Sequence, residues 1–284
     1  AYDSDPTARQ IVDVAQGLEG IVRNSSIHAA AVVIADRPLT EIVPVQLADA
    51  NTTDANGDRV YKVVTQYSMK PVEELGLLKM DFLGLRNLDV IEAALKIIEK
   101  TDGVCVEVDR LPLDDARTYQ MLARGDSTGV FQFESAGMRE ALRDVKPTQF
   151  EDLIAIVALY RPGPMQYIPT YARNKRDPAS VVYEHESLRP ILEPTHGVTI
   201  YQEQYMAIAR RVAGFSPAQA DDLRKAISKK DKKLMGTLKE PMMQGLAASG
   251  VPASVAQKLW ANFEATGDYS FNKSHAACYA LISY

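Results

Sequence analysis

Ten residues, Gly76-Leu77-Leu78-Lys79-Met80-Asp81-Phe82-Leu83-Gly84-Leu85, place an ammonium and a carboxylate inside an apolar run. If 77 to 83 form a strand, the two-residue alternation sends Leu78, Met80 and Phe82 to one face and Lys79 and Asp81 to the other. Two chemistries are then open: a structural ion pair on a half-buried sheet, or a working site built around the carboxylate. Spacing alone does not separate them.

Cationic chemistry gathers further along. Residues 205 to 240 hold nine Lys or Arg against four acids, so the segment carries +5 and the remainder of this −5 chain carries −10. Such a separation of sign fits a local phosphate-binding surface on an acidic body, and equally a solvated helix face. Arg161, in Arg161-Pro162-Gly163-Pro164, stands where proline must end a helix. It reads either as a cation stabilising that helix C-terminus or as a planar donor fork for a triphosphate. His28, before a β-branched run, is either a satisfied structural residue or a phosphate ligand. Two metal readings fail. Asp5 of Asp3-Ser4-Asp5-Pro6 is accounted for as a helix cap, and a calcium loop from Asp54 would need Glu where Thr65 stands.

The elements that must position these groups follow from periodicity and punctuation. Pro6 opens a helix with Ile11, Val14 and Leu18 on one stripe; strands are expected near 29–34, 42–45, 60–67 and 79–83, with Asn56-Gly57 turning a hairpin, and a helix from 88 to 100. This predicts a mixed sheet backed by helices over residues 1–103. Residues 104–284 read as mostly helical. A helix starts at Asp114 or Asp115, a strand spans 129–133, Ser135 caps the next helix, and Thr148 with Glu151 forms a capping box before Leu153–Leu159. Further helices are expected over 201–213, from Ser216, from Pro252, and from a Ser274 cap to Tyr284. The last is apolar around its circumference, which predicts burial. It breaks off in mid-pattern, and the chain reads as cut at both ends. At 284 residues, 46% hydrophobic and 24% charged, the composition is that of a globular protein. Cys105 and Cys278 are expected as buried free thiols of a reducing, cytoplasmic setting; no apolar run is long enough to span a membrane, and no export signal opens the chain.

Six runs, in order, carry a resemblance: the 73–85 stretch with Val64-Thr65-Gln66-Tyr67 before it, Gly129-Val130-Phe131-Gln132-Phe133-Glu134-Ser135, Ala158 to Pro164, Tyr201-Gln202-Glu203-Gln204, and Phe271-Asn272-Lys273-Ser274-His275-Ala276-Ala277. Together they resemble the bacterial DNA polymerase III alpha subunits, the C-family replicative polymerases. The resemblance implies an α+β fold, with the last part of a palm over 1–103 and a fingers domain over 104–284. It makes Asp81 the third metal-binding carboxylate and Lys79 its catalytic neighbour, with two Mg²⁺ ions in the complete enzyme. Arg161, Lys229, Lys230, His28, Lys273 and His275 become nucleotide-binding candidates, and Arg224, Lys225, Lys232 and Lys233 DNA-binding ones. Residues 23–34 resemble the family's Arg-Asn-x-x-x-His-Ala-Gly-Gly segment with Ala30 and Ala31 replacing glycines, and Ser228 replaces a glycine before Lys229-Lys230. The family's other two carboxylates would lie upstream of Ala1, so a lone fragment is expected to be inactive. Implied partners are primer-template DNA and dNTP, with the sliding clamp and other replisome subunits reached through regions outside this chain. A non-catalytic DNA-binding or replisome-contacting module is the competing reading. The C-family branch stays open.

Overall fold

The computed structural model describes residues 2–21, 25–265 and 270–284. Arg23 and Asn24, and Gly267 to Tyr269, lie outside them. The elements, in chain order, are α1 (Pro6–Gly17), β1 (Ala31–Ile34), β2 (Val45–Thr53), β3 (Arg59–Thr65), α2 (Met69–Glu74), β4 (Leu78–Asp81), α3 (Arg86–Asp102), α4 (Ala116–Ala123), α5 (Ala136–Val145), α6 (Phe150–Leu159), α7 (Ile168–Arg176), α8 (Arg189–Leu192), α9 (Gln202–Arg211), α10 (Pro217–Lys229), α11 (Lys232–Ala248), α12 (Ala253–Ala265) and α13 (Lys273–Ser283). The class is α+β. Two compact units, residues 1–86 and 87–284, divide the chain, so α3 falls with the second.

In the first unit, Asp5 caps α1 through the amides of Thr7 and Ala8, with Pro6 at the first helical position. The strands form two antiparallel ribbons, β1 with β4 and β2 with β3, in place of the expected mixed sheet. The β2–β3 hairpin closes where Asn56-Gly57 stands, with Gly57 at φ +88°, a conformation that suits glycine. Register pairs Val32 with Met80 and Ile34 with Leu78 on one face, and Ala31 with Asp81 and Val33 with Lys79 on the other. The apolar face is exposed, as are Ile11 and Val14 of α1 and Leu18 just after it. The unit's core is instead small, Val43, Val72 and Leu77 with Val33 against them, on the side that carries Lys79.

The second unit has two cores. α6 is buried from Asp152 to Leu159, its Leu153–Leu159 run being apolar on every side, and gathers Tyr119, Leu122, Phe133, Leu142, Tyr171, Ala276 and Ala280 around it. The other core joins Tyr205, Ile208, Leu223, Met242, Leu246, Trp260 and Phe263. α9 serves both, since Tyr201 just before it belongs to the first and Tyr205 to the second.

Several boundaries differ from expectation for local reasons. Residues 129–133 turn and do not extend, because Gly129 and Gln132 have φ of +77° and +65° and the Ser127 hydroxyl donates to the Phe133 carbonyl across the loop. α6 is capped at Gln149 with Asp152 three residues on, one position later than Thr148 and Glu151. The buried Asp152 carboxylate accepts from the Thr148 and Gln149 amides at 2.9 and 3.3 Å and from the Tyr171 hydroxyl at 3.0 Å, and pairs with Lys175 at 2.7 Å. Glu151, facing solvent, could satisfy none of these. Asn272, and not Ser274, caps α13 by accepting from the His275 amide at 2.8 Å. Both cysteines are exposed, Cys278 because it falls on the side of α13 opposite Ala276 and Ala280.

Candidate active site and nucleotide-contact residues

The first group of candidates is built on β1 and β4. Alternation along β4 puts Lys79 and Asp81 on one side, where the Lys79 ammonium donates to both carboxylate oxygens at 2.8 and 3.0 Å. This hydrogen bond is the largest influence on Asp81; partial burial opposes it, and the charge of Lys79 adds to it, so the carboxyl is held below the usual carboxylate range. Lys79 is the more enclosed partner, its side chain 17% exposed against 40% for Asp81. His28 Nδ1 accepts from the amides of Ala30 and Ala31 at 3.2 and 2.8 Å, which fixes the proton on Nε2. The ring thus caps the entry to β1 and presents Nε2–H away from it. A cleft of about 640 Å³ beside this pair is lined by His28, Lys62, Thr65, Tyr67, Lys79 and Phe82, among others.

As a metal site the group is partial. Among the described residues no three His, Cys, Asp or Glu side chains converge to hold an ion. Asp81 fits one ligand position, whereas a pair of divalent ions needs several carboxylates, so these residues by themselves do not hold such a pair.

The second group sits where α6 ends. Pro162 stops the helix and Gly163, at φ +100°, reverses the chain, leaving Arg161 with its Nε donating to the Ala158 carbonyl at 3.2 Å. Its guanidinium lies 4.1 Å from the Phe271 ring centroid. Burial lowers the Arg161 pKa from its ordinary value, though an arginine stays charged. Phe271 in turn meets the His275 ring at 5.2 Å, and His275 meets Tyr279 at 4.3 Å. The Lys273 ammonium rests 5.5 Å from the centre of the Tyr201 ring. Arg161, more than a hundred residues upstream, is therefore brought beside Lys273 and His275. Phe271 and Tyr279, to which sequence reasoning gave no role, supply the platform; the interleaving of Phe271 with Asn272, Lys273 and His275 was the available signal.

The third group is the turn between α10 and α11. Lys229 ends α10, Lys230 follows at φ +52°, and Asp231 caps α11 through the amides of Lys233 and Leu234, both at 3.0 Å. Lys232 and Lys233 are exposed in the first turn of α11. Arg224 and Lys225, by contrast, are engaged on their own helix, with Asp221 at 2.8 and 2.9 Å and with Asp222 at 3.6 Å from Lys225.

A model of the bacterial DNA polymerase III alpha subunit finger domain matches residues 87–250, over half of the chain. The chain belongs to the bacterial DNA polymerase III alpha subunit family. The polymerase III alpha NTPase-domain model matches residues 1–84, so the two matches meet where the compact units divide. DNA polymerase III subunit alpha of Thermus aquaticus is 47% identical over 99% of this chain, that of Aquifex aeolicus 44% over 99%, and that of Bacillus subtilis 43% over 96%. The chain spans about a quarter of the length of these polymerase III alpha relatives, 23% to 24%. All three groups of candidates lie within the regions shared with them.

Proposed function

We propose that this chain is the palm-to-fingers portion of a replicative DNA polymerase catalytic subunit, which transfers a nucleotide from dNTP to a primer 3′-hydroxyl on a DNA template. The observation that carries the reading is similarity to DNA polymerase III subunit alpha over essentially the whole chain. In this proposal the NTPase-matched unit contributes the palm residues Asp81, Lys79 and His28, and the finger-matched unit the contacts to nucleotide and DNA.

The roles follow from chemistry. Asp81, kept ionised by Lys79, is one ligand of a two-Mg²⁺ site whose remaining carboxylates belong to the longer polypeptide; those ions would stabilise the attacking and leaving oxygens. Lys79 then turns from Asp81 to neutralise phosphate charge. His28, with Nε2–H presented beside the cleft, donates to a phosphate oxygen. Arg161, Lys273 and His275 take the triphosphate from the fingers side, with Phe271 holding the guanidinium plane. For the basic turn, helix electrostatics separates the residues. Lys229 and Lys230 stand at a helix C-terminus, where cations are already favourable, whereas Lys232 and Lys233 oppose the dipole of α11 at a cost of roughly 0.3–1 kcal/mol each. Exposed cations placed against their own helix dipole suit phosphate contact with template or primer better than they suit helix stability. The same reading gives primer-template DNA, dNTP, the sliding clamp and other replisome subunits as partners, in the bacterial cytoplasm.

A chimera tests the reading. Replacing the corresponding quarter of the Thermus aquaticus subunit with this chain should preserve templated extension of a primed strand. A folded chimera that binds DNA and extends nothing would refute it.

A further inference from the structure

The run Tyr201-Gln202-Glu203-Gln204 has no role in the proposed nucleotide transfer, yet it touches the start of α13 and the end of α10, beside the Lys273 and Lys229 that the transfer uses. Three successive helical residues point about 100° apart, so their side chains reach in three directions. Gln202 Nε2 donates to the Ser228 hydroxyl at 3.2 Å, next to Lys229. Gln204 is buried; its Oε1 accepts from the amides of Ile200 and Tyr201 at 2.8 and 2.9 Å, and its Nε2 donates to the Thr195 hydroxyl at 2.7 Å. Glu203 receives the Lys273 amide on both oxygens, at 3.1 and 3.0 Å, and the Asn272 side-chain amide at 3.1 Å. The backbone joins the same two places, since the Gln202 amide donates to the Phe271 carbonyl at 2.9 Å and the Phe271 amide to the Ile200 carbonyl at 3.1 Å.

We infer that Glu203 is the positioning residue of the fingers-side nucleotide contacts: it fixes the start of α13 so that Lys273 and His275 face the same ligand as Arg161. The inference rests on the nucleotide-binding reading of those three residues. Its carboxylate accepts from the main chain of Lys273, while the Lys273 ammonium lies over Tyr201. The acid thus orients the lysine without sharing its charge. Gln204 makes this stiff by holding the 200–201 backbone against which Phe271 pairs, and Phe271 is the surface under Arg161. Loss of Glu203 frees residues 272–275 while leaving both hydrophobic cores intact, because the acid belongs to neither.

The test uses the complete polymerase subunit carrying this chain, with Glu203→Ala, Lys273→Ala and the double variant. Positioning predicts faster amide exchange confined to 271–276, an unchanged melting temperature and DNA affinity, and an apparent KM for dNTP raised roughly tenfold with kcat little altered, as for loss of one charge-assisted hydrogen-bond set. The double variant should lose less than the sum of the two single losses, because part of what Glu203 contributes passes through Lys273 and the rest through His275. A normal KM in Glu203→Ala beside a raised KM in Lys273→Ala overturns the inference, as do additive effects. A normal KM in both variants instead overturns the nucleotide-binding reading beneath it, and the inference with it. Should Glu203→Ala fail to fold, Glu203→Gln, which keeps one acceptor oxygen, should give a smaller rise in KM and partial protection; wild-type KM in that variant with protection lost overturns the inference equally.

Discussion

Lys79 bonds both oxygens of Asp81, and the consequence is a carboxylate that resists protonation. Because its folded pKa is lowered, the pair's contribution to stability is full above the ordinary carboxylate range, near pH 4, and is lost as pH falls through the lower folded value. Lys79→Met should therefore move the Asp81 carboxyl titration, followed by NMR, upward toward the ordinary range; an unmoved titration would mean that Lys79 is not the cause. Arg161→Lys removes the planar group stacked on Phe271 and the Nε bond to Ala158, and should raise the dNTP requirement of the full subunit about tenfold, read as KM with kcat retained. The alternation that pairs Lys79 with Asp81 was legible in the sequence. Which face would be covered was not, because Leu78 and Met80 look like core from their types alone, and coverage depends on what other chain is present.

Elements were legible where local chemistry decides them: the Asp5 and Ser216 caps, the Asn56-Gly57 hairpin, the proline stop after α6. They were misplaced where distant partners decide, as when Tyr171 and Lys175 draw Asp152 into the cap of α6. The expected burial of α13 holds on one side: Ala276 and Ala280 pack in the first core, Tyr284 donates from its hydroxyl to the Pro112 carbonyl at 2.7 Å, and Leu281 remains exposed. Hydrogen exchange should then find the α13 amides protected from Ala276 onward; fast exchange throughout would contradict that packing. Helix α11 meets the chain just after α9 at Gly245, where an added Cβ would run into the Ala213 carbonyl oxygen. Backbone cannot yield as a flexible side chain can, so Gly245→Ala should cost about 1–3 kcal/mol, measurable as a lower denaturation midpoint. An unchanged midpoint would show the two helices to be further apart.

At the scale of the molecule, two compact units each carry part of one proposed chemistry, and neither carries all of it. The sequence announced this through motifs spread over both units, whereas the pairing of strands into separate ribbons and the grouping of α3 with the second unit depend on long-range packing that periodicity does not encode. With Asp81 as the one carboxylate paired with Lys79 among the described residues, the chain alone should add no nucleotide to a primed template, and extension by rigorously purified chain would count against a two-metal site shared with the rest of the polypeptide. The most direct test is Asp81→Asn in the complete subunit, an exchange nearly isosteric but uncharged. If Asp81 is a metal ligand, primer extension falls by about a thousandfold or more while affinity for primer-template DNA stays at the wild-type value. Wild-type extension by Asp81→Asn would leave Asp81 and Lys79 as a structural ion pair and contradict the catalytic role proposed for them.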